Sequence, residues 1–378
     1  MRVLMVTPFP RDPNQIVGGV AGVAAYLSRQ LKDQQGIDLE ILSPQNVKCV
    51  SHDLDFDGIR VKYLGTTGGF VARKWFVRRL ANTIADYTNN CNCDLVHIQG
   101  ATEWTRFISK PYVFTVHGIP ERDFLYRSFP SLRRMLFPFV RARQQRFRRR
   151  IPHAISISPY VQENLDGSLR GQVWDIENPV RDDFFDIQSD PVPGQLLYGG
   201  VISERKNIVN LIRAIAISRN DFPDLRMKIA GFPVSQKYYD TCLRLLADLG
   251  LEDTIEFLGN LNVEQMQQQL AQASALVLCS WQETAPVIIE EAMACGVPVV
   301  ASDRCGMPYM IEDGKTGALV EPGDPRSIAD GINRVLQEGV AEAMSKRSRE
   351  VAERRFRAST VAMQTAQVYR QILEKHNM

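Results

Sequence analysis

A chain of 378 residues is too long for one ordinary hydrophobic core, so its length predicts two domains of roughly 180 residues. Hydrophobic residues make up 44% and charged residues 23%, with a net charge of +2, which excludes a global basic field for nucleic acid. No apolar run reaches the roughly 18 residues needed to span a bilayer. Cys91 and Cys93 are one residue apart and no Cys-x-x-Cys occurs, so the seven cysteines are expected to be reduced thiols in a cytosolic protein.

Met1 to Thr7 is followed at once by Pro8 and Pro10, which reads as a first strand rather than a signal peptide. Val3 to Val6 is the apolar run of a doubly covered parallel strand, and Val20, Val23, Ala24, Leu27 and Leu31 follow at helical spacing. Between them Gly18 and Gly19 permit a close approach of backbone to ligand, although with Gly22 they do not fit G-x-G-x-x-G. Strands at Leu39–Leu42 and Ile59–Leu64, a helix from about Val71 to Tyr87, and strands at Leu95–Ile98 and Tyr112–Val116 continue a βαβ rhythm. Asp53, Asp55 and Asp57 read as a solvated loop before a strand rather than a metal site. His117, in FTVHG, stands directly after a strand, at the edge where open parallel sheets bind ligands; His97 is a weaker candidate.

Two stretches of this half are basic. Val71–Leu80 carries four cations and Trp75, and Ser131–Arg150 carries eight arginines and no acid. In the second, Leu132, Met135, Leu136, Phe139 and Val140 recur at helical spacing, with Pro138 expected to kink the element. Such a helix either lies on an anionic membrane or covers a core with a solvated basic face.

SDPVPG, residues 189–194, reads as a linker, which places the domain boundary near 190. Strands are expected at Gln195–Gly199, Leu225–Ala230, Ile255–Leu258, Ala275–Cys279 and Val297–Ser302, and a final helix at about Thr360–Glu374. Arg205 and Lys206, in GGVISERKN, would oppose the dipole of a helix starting there, so they suit an anionic ligand better than they suit stability. In CSWQETAPVIIEEAMACGVPVVAS, from Cys279 to Ser302, Pro286 opens a helix whose first N–H groups favour a phosphate. Glu283 in the preceding loop and Glu291 in the helix bracket seven residues, so both can reach one polyhydroxylated ligand.

Glu, seven residues, Glu-Ala, then Gly296 and a strand resembles the donor signature of the retaining glycosyltransferases of family 4. Thr-x-His-Gly at residues 115–118, the Gly-Gly pair and the Arg-Lys pair extend the resemblance over nearly the whole chain. The resemblance implies an α/β, GT-B fold: two Rossmann-like doubly wound parallel-sheet domains facing across a cleft. Residues 1–190 would form the acceptor-side domain, 191–357 the donor domain, and 358–378 a helix crossing back to the first. It also implies metal-independent transfer, with retention, of a hexose-type sugar from a UDP-sugar, or alternatively a GDP-sugar, to a saccharide or lipid-linked acceptor in polysaccharide or glycolipid assembly. No cofactor, metal or nucleic-acid partner is implied.

Carried over residue by residue, His117 and Glu283 orient the hexose, and Arg205 and Lys206 stand over the diphosphate. Gly19, Pro286, Val287 and Ile288 border the phosphates and sugar, Glu291 holds the ribose, and Leu258, Gly259, Asn260 and Leu261 hold the base. Asn178 and Arg181 line the interdomain crossing. The chain departs from the pattern at Val201, where members carry Arg, at Pro286 within Glu-Gly-Phe-Gly-Leu, and at Tyr309, where an acid is common. A cytoplasmic protein is implied, peripheral on the inner membrane face if Val71–Leu80 and Ser131–Arg150 contact anionic lipid. The alternatives are a GT-B-fold nucleotide-sugar epimerase and a non-catalytic nucleotide-sugar binding protein.

Overall fold

The structure, a computed structural model, describes residues 1–12, 19–44, 52–64, 73–126, 130–165 and 167–377, apart from the side chains of 73–78, 130–134 and 377. The chain divides into two compact units, Met1–Pro179 with Ala358–Met378, and Val180–Arg357.

The first unit runs β1 (Arg2–Val6), α1 (Gly19–Lys32), β2 (Asp38–Pro44), β3 (His52–Phe56), β4 (Ile59–Leu64), α2 (Arg73–Asn90), β5 (Leu95–Gln99) and β6 (Tyr112–Val116). It continues through α3 (Pro120–Phe124), α4 (Pro130–Arg148), β7 (His153–Ser156), α5 (Pro159–Leu165) and β8 (Gln172–Asp175). The sheet order is β3-β4-β2-β1-β5-β6-β7-β8, parallel except for β3 against β4. Continuous apolar runs fill the middle of this sheet because helices cover both faces there. Val3, Met5, Ile41, Val61 and Leu95 are all at most 1% exposed.

The aspartates of residues 53–57 depart from the expected loop. His52–Phe56 is a strand paired antiparallel with β4, and Asp57 and Gly58 make its turn at φ 53° and 81°. Asp-Gly is the preferred two-residue hairpin turn because both positions need positive φ. The Asp55 carboxylate accepts from the Gly58 N–H (2.9 Å), and Asp57 pairs with Arg29 (2.7 Å).

The second unit contains β9 (Gln195–Gly199), α6 (Ile208–Ser218), β10 (Arg226–Ala230), α7 (Gln236–Asp248), β11 (Ile255–Gly259), α8 (Val263–Gln272) and β12 (Ala275–Leu278). It closes with α9 (Val287–Ala294), β13 (Val299–Ser302), β14 (Gly317–Val320), α10 (Pro325–Val335) and α11 (Val340–Arg355). All six strands are parallel in the order β11-β10-β9-β12-β13-β14, the doubly wound order of a Rossmann sheet. Its topological switch point lies between β9 and β12. Ligands of open α/β sheets bind at the carboxyl ends of the two strands flanking that point.

The units part at Pro179 and Val180, not at residue 190 where the proline-rich stretch placed the boundary. Residues 180–187 are already packed on the second unit. Phe184 and Phe185 are buried, the Val180 N–H donates to the Phe356 carbonyl (2.7 Å), and Arg349 donates to the carbonyls of Phe185 (2.7 Å) and Ile187 (2.8 Å). After α11 the chain enters α12 (Ala358–Asn377), which belongs to the first unit. Val361, Ala362, Ala366, Val368, Tyr369 and Ile372 join the core that β1, β2, β4 and α1 build. Among the described residues no helix is long and apolar enough to cross a membrane.

Candidate functional site

At the switch point of the second unit, β9 ends on Gly199 and the chain turns through Gly200 at φ 144°, a conformation that side-chain-bearing residues avoid. The next polar segment is a single 3-10 turn, Glu204–Lys206, so Arg205 and Lys206 lie just before α6 rather than on its first turn. Asn207 separates them from the helix in the left-handed region at φ 61°, which asparagine tolerates better than most residues. Its buried side-chain amide donates to the carbonyls of Cys279 (3.0 Å) and Pro322 (2.7 Å), tying the turn to the chain beyond β12 and β14. The Trp281 backbone N–H donates to the Arg205 backbone carbonyl (2.9 Å), and the Arg205 guanidinium donates to the Gln282 backbone carbonyl.

These bonds bring together three ionised side chains. Glu283 Oε1 lies 2.6 Å from Lys206 Nζ and 2.9 Å from Arg205 Nη1. The Glu283 and Lys206 side chains are only 10% and 8% exposed, and Arg205 is 27% exposed. Burial alone would raise the Glu283 carboxyl, but Lys206 and then Arg205 outweigh it and hold the group below the usual carboxylate range. Two cations against one carboxylate leave an excess positive charge at the strand ends. Charge buried at this cost is seldom a stability device, and it concentrates where a site needs fixed charge.

The loop bearing Glu283 is held from its other side. The Gly306 N–H donates to the Glu283 carbonyl (3.0 Å), and a Cβ on Gly306 would lie 1.6 Å from the Thr284 carbonyl oxygen, so only glycine fits there. Cys305, at φ 60°, donates its thiol to Gln282 Oε1 (3.1 Å). Pro286 immediately precedes α9 as its cap residue, extended at ψ 115°, and Val287 and Ile288 are the first helical residues. Their N–H groups have no acceptor within the helix. Ile288 packs over Gly199, where an added Cβ would come within 2.8 Å of its side chain, which sets this helix end beside the end of β9.

Glu291 is half-buried further along α9, while its neighbour Glu290 is 1% exposed. Leu258 and Gly259 close β11, two strands from β9, and Asn260 and Leu261 lead to α8. The Gly200 N–H donates to Ala230 (2.9 Å) and the Gly231 N–H to Gly259 (2.7 Å), so the three strand ends form one row. The residues that the sequence reading did not single out here are Asn207, Gln282 and Gly306. Of these only Asn207 left a signal, as an asparagine between a cationic turn and an apolar helix.

In the first unit, His117 follows β6 and its Nε2 lies 2.8 Å from Gln99 Oε1. Desolvation pushes its pKa down to about 4, so the ring is neutral near pH 7. His97 is fully buried. Its Nδ1 lies 2.6 Å from the Tyr369 hydroxyl and its Nε2 2.7 Å from Thr115 Oγ1, and burial followed by the nearby His117 lowers it to about 3. Both of its ring nitrogens are taken up by these core partners. Gly19 is the exposed first residue of α1; Gly18 lies outside the described residues. Asn178 is buried in this unit, and in the second unit Arg181 pairs with Asp183.

Two doubly wound α/β units, one with a buried Glu-Arg-Lys cluster at its switch point, define the GT-B class of fold. The family model described as Glycosyl transferases group 1 matches residues 180–354, and that described as Glycosyltransferase Family 4 matches residues 17–184. The chain belongs to this family of glycosyltransferases. It is 32% identical over 190 residues to a D-inositol 3-phosphate glycosyltransferase of Streptomyces avermitilis, a match covering 48% of this chain and 40% of that relative's length. A sucrose-phosphate synthase structure from Thermosynechococcus elongatus superposes with a TM-score of 0.83 at 20% identity, covering 99% of both chains. HepE of Anabaena in complex with UDP-glucose gives 0.75 at 18% identity, covering 98% of this chain and 100% of the other.

Proposed function

We propose that this chain transfers a hexose-type sugar from a nucleoside diphosphate sugar, UDP in preference to GDP, to a saccharide or lipid-linked acceptor, with retention at the anomeric carbon. The observation that carries the reading is the cluster of Glu283, Lys206 and Arg205 at the carboxyl ends of β9 and β12. As the bond from the anomeric carbon to the diphosphate oxygen breaks, negative charge grows on the leaving group. Arg205, Lys206 and the Val287 and Ile288 amides are fixed positive groups that gain in strength as it grows. They do by position what a divalent cation does elsewhere, so the reaction runs without metal.

In this reading Glu283 accepts hydroxyl hydrogens of the hexose, held ionised by the same two cations. Neutral His117 keeps Nδ1 as an acceptor while Nε2–H donates to Gln99, and it orients the sugar. The acceptor hydroxyl attacks from the leaving-group face, and its proton passes to an oxygen of the departing phosphate. Glu291 holds the ribose, and residues 258–261 hold the base chiefly through backbone atoms. HepE, a structural neighbour, is described in complex with UDP-glucose, which favours a uridine donor.

The test is thermal stabilisation of the purified protein by a panel of nucleotide sugars in EDTA, since a ligand of the folded state alone raises Tm. Selective stabilisation by one base and one sugar supports the reading and supplies the donor for acceptor screening. No shift with any donor, or a shift that requires divalent metal, overturns it. An isomerised sugar formed from donor alone replaces transfer with epimerisation.

A further inference from the structure

The turn that joins α2 to β5 carries two thiols in contact. Cys91 follows the last residue of α2 and Cys93 stands two residues before β5, and their sulfurs lie 3.0 Å apart. The turn is held by groups other than the thiols. The Cys91 N–H donates to the Tyr87 carbonyl (2.9 Å), which closes the helix. The Asp94 N–H donates to the Arg2 carbonyl (2.8 Å) and the Arg2 N–H to the Asp94 carboxylate (2.7 Å), which fixes the chain to β1. Between these anchors the Lys110 ammonium donates to the carbonyls of both Cys91 (2.6 Å) and Cys93 (2.9 Å). A backbone clamped at both cysteines keeps their side chains facing each other, so joining them costs little of the rotamer freedom that ring closure ordinarily takes.

Packing does not account for the pair. Of the six cysteines among the described residues, Cys242, Cys279 and Cys295 are buried as small apolar side chains. Burial pushes each of those three thiols up, which keeps them protonated and inert. Cys91 and Cys93 are half-buried instead, within reach of a small reagent, and neither belongs to the core of the first unit.

We infer that Cys91 and Cys93 form a modification site, a dithiol that a low-molecular-weight disulfide converts reversibly into an intramolecular disulfide. The Cys91 thiolate attacks one sulfur of the reagent, forming a mixed disulfide and expelling one thiolate. Cys93 then attacks the Cys91 sulfur, the bond to the reagent breaks, and the second thiolate leaves. The two protons of the protein thiols pass to the two departing thiolates, so the reagent is reduced to two thiols as the protein gives up two electrons. Burial pushes the Cys93 thiol up and the adjoining Cys91 adds to the rise, so Cys93 keeps its proton while Cys91 attacks. The Lys110 charge acts in the opposite sense and favours the Cys93 thiolate once it is needed. The pair lies at the amino end of β5, whereas His117 follows the carboxyl end of the parallel neighbour β6, so the dithiol is independent of the sugar site proposed above.

The experiment is incubation of the folded full chain with oxidised glutathione at neutral pH, followed by N-ethylmaleimide and peptide mapping by mass spectrometry. The expected product is a peptide holding Cys91 and Cys93 that is lighter by two hydrogens and carries no maleimide, with Cys242, Cys279 and Cys295 recovered as thiols. Dithiothreitol should restore both thiols. Cys93→Ser should stop at a stable glutathione adduct on Cys91, and Cys91→Ser should form an adduct on Cys93 about tenfold more slowly or less. Both variants should keep the parent Tm, and closure in the parent chain needs no substitution, so a variant that failed to fold would leave the test intact. The readouts are covalent and use no nucleotide sugar, so they stand whatever the donor test returns.

Glutathione adducts without ring closure, no reaction at either cysteine, or a dimer linked through one of them overturns the inference. So does pairing of either with Cys49. Oxidation of Cys242, Cys279 and Cys295 at the same rate as the pair overturns it as well, since selectivity would then owe nothing to the turn.

Discussion

Lys206 Nζ and Glu283 Oε1 meet at 2.6 Å although 76 other residues separate them in the chain, and both side chains are about nine-tenths buried. Neither charge can lose its partner cheaply. Glu283→Gln should therefore act in two ways: turnover should fall by about a hundredfold or more, and stability should fall by about 3 kcal/mol as Lys206 is left uncompensated. Adding Lys206→Met should restore most of the stability and none of the turnover. Tm and turnover measured on the two variants and their double separate these roles, and a folded Glu283→Gln enzyme with near-normal turnover would remove Glu283 from the reaction.

Asn207 links the cationic turn to the chain beyond two strands through Cys279 and Pro322 while holding a left-handed backbone. Asn207→Ala loses both donors and adds backbone strain, a combined cost of about 3 kcal/mol. Asn207→Gly loses the donors without the strain and should be about 1 kcal/mol less destabilised. In both, kcat should fall more than KM rises, because the displaced cations matter most to the departing diphosphate. Chemical denaturation beside steady-state kinetics checks the order. Equal stabilities would mean that the left-handed backbone carries no cost.

His97 sets a dependence on acid. Its pKa is about 3 when folded and near 6.5 when unfolded, so between those values the unfolded chain binds the extra proton. Its contribution is fully present above pH 6.5 and is lost as pH falls toward 3. By pH 5 the loss should reach about 2 kcal/mol relative to pH 7.5. His97→Gln should be less stable at pH 7.5 and have a flatter profile between pH 7.5 and 5, read from denaturation midpoints at each pH. A variant profile parallel to that of the parent would mean that His97 titrates alike in the folded and unfolded chains.

The alternation of strands and helices was legible because each central strand is a short, unbroken apolar run closed by turn residues. Ile59–Leu64, Tyr112–Val116 and Gln195–Gly199 have the bounds that pattern predicts. β3 was not legible. It is an edge strand whose exposed positions are His52, Asp53 and Asp55, so composition pointed to a loop, and the Asp57-Gly58 turn was the signal passed over. The unit boundary was misplaced for a related reason: prolines at 191 and 193 are conspicuous in sequence, whereas the burial of Phe184 and Phe185 is a tertiary fact. At the candidate site, residue types and spacings pointed to Glu283, Arg205 and Lys206 separately. Their convergence on one oxygen atom depends on a strand order that no local pattern encodes.

The bond between His97 and Tyr369 ties the first unit to nearly the last helical turns of the chain. On the ribosome, residues 180–357 emerge as one uninterrupted stretch, so the second unit has all its strands before α12 has been made. The first unit is begun earlier and completed later: until Tyr369 arrives, its apolar core is missing the wall supplied by Val361, Ala362 and Ala366. Of the two units, the one whose synthesis starts earlier is thus the one that waits longest as a nascent chain, and a chaperone holding the chain during synthesis would have most to protect there.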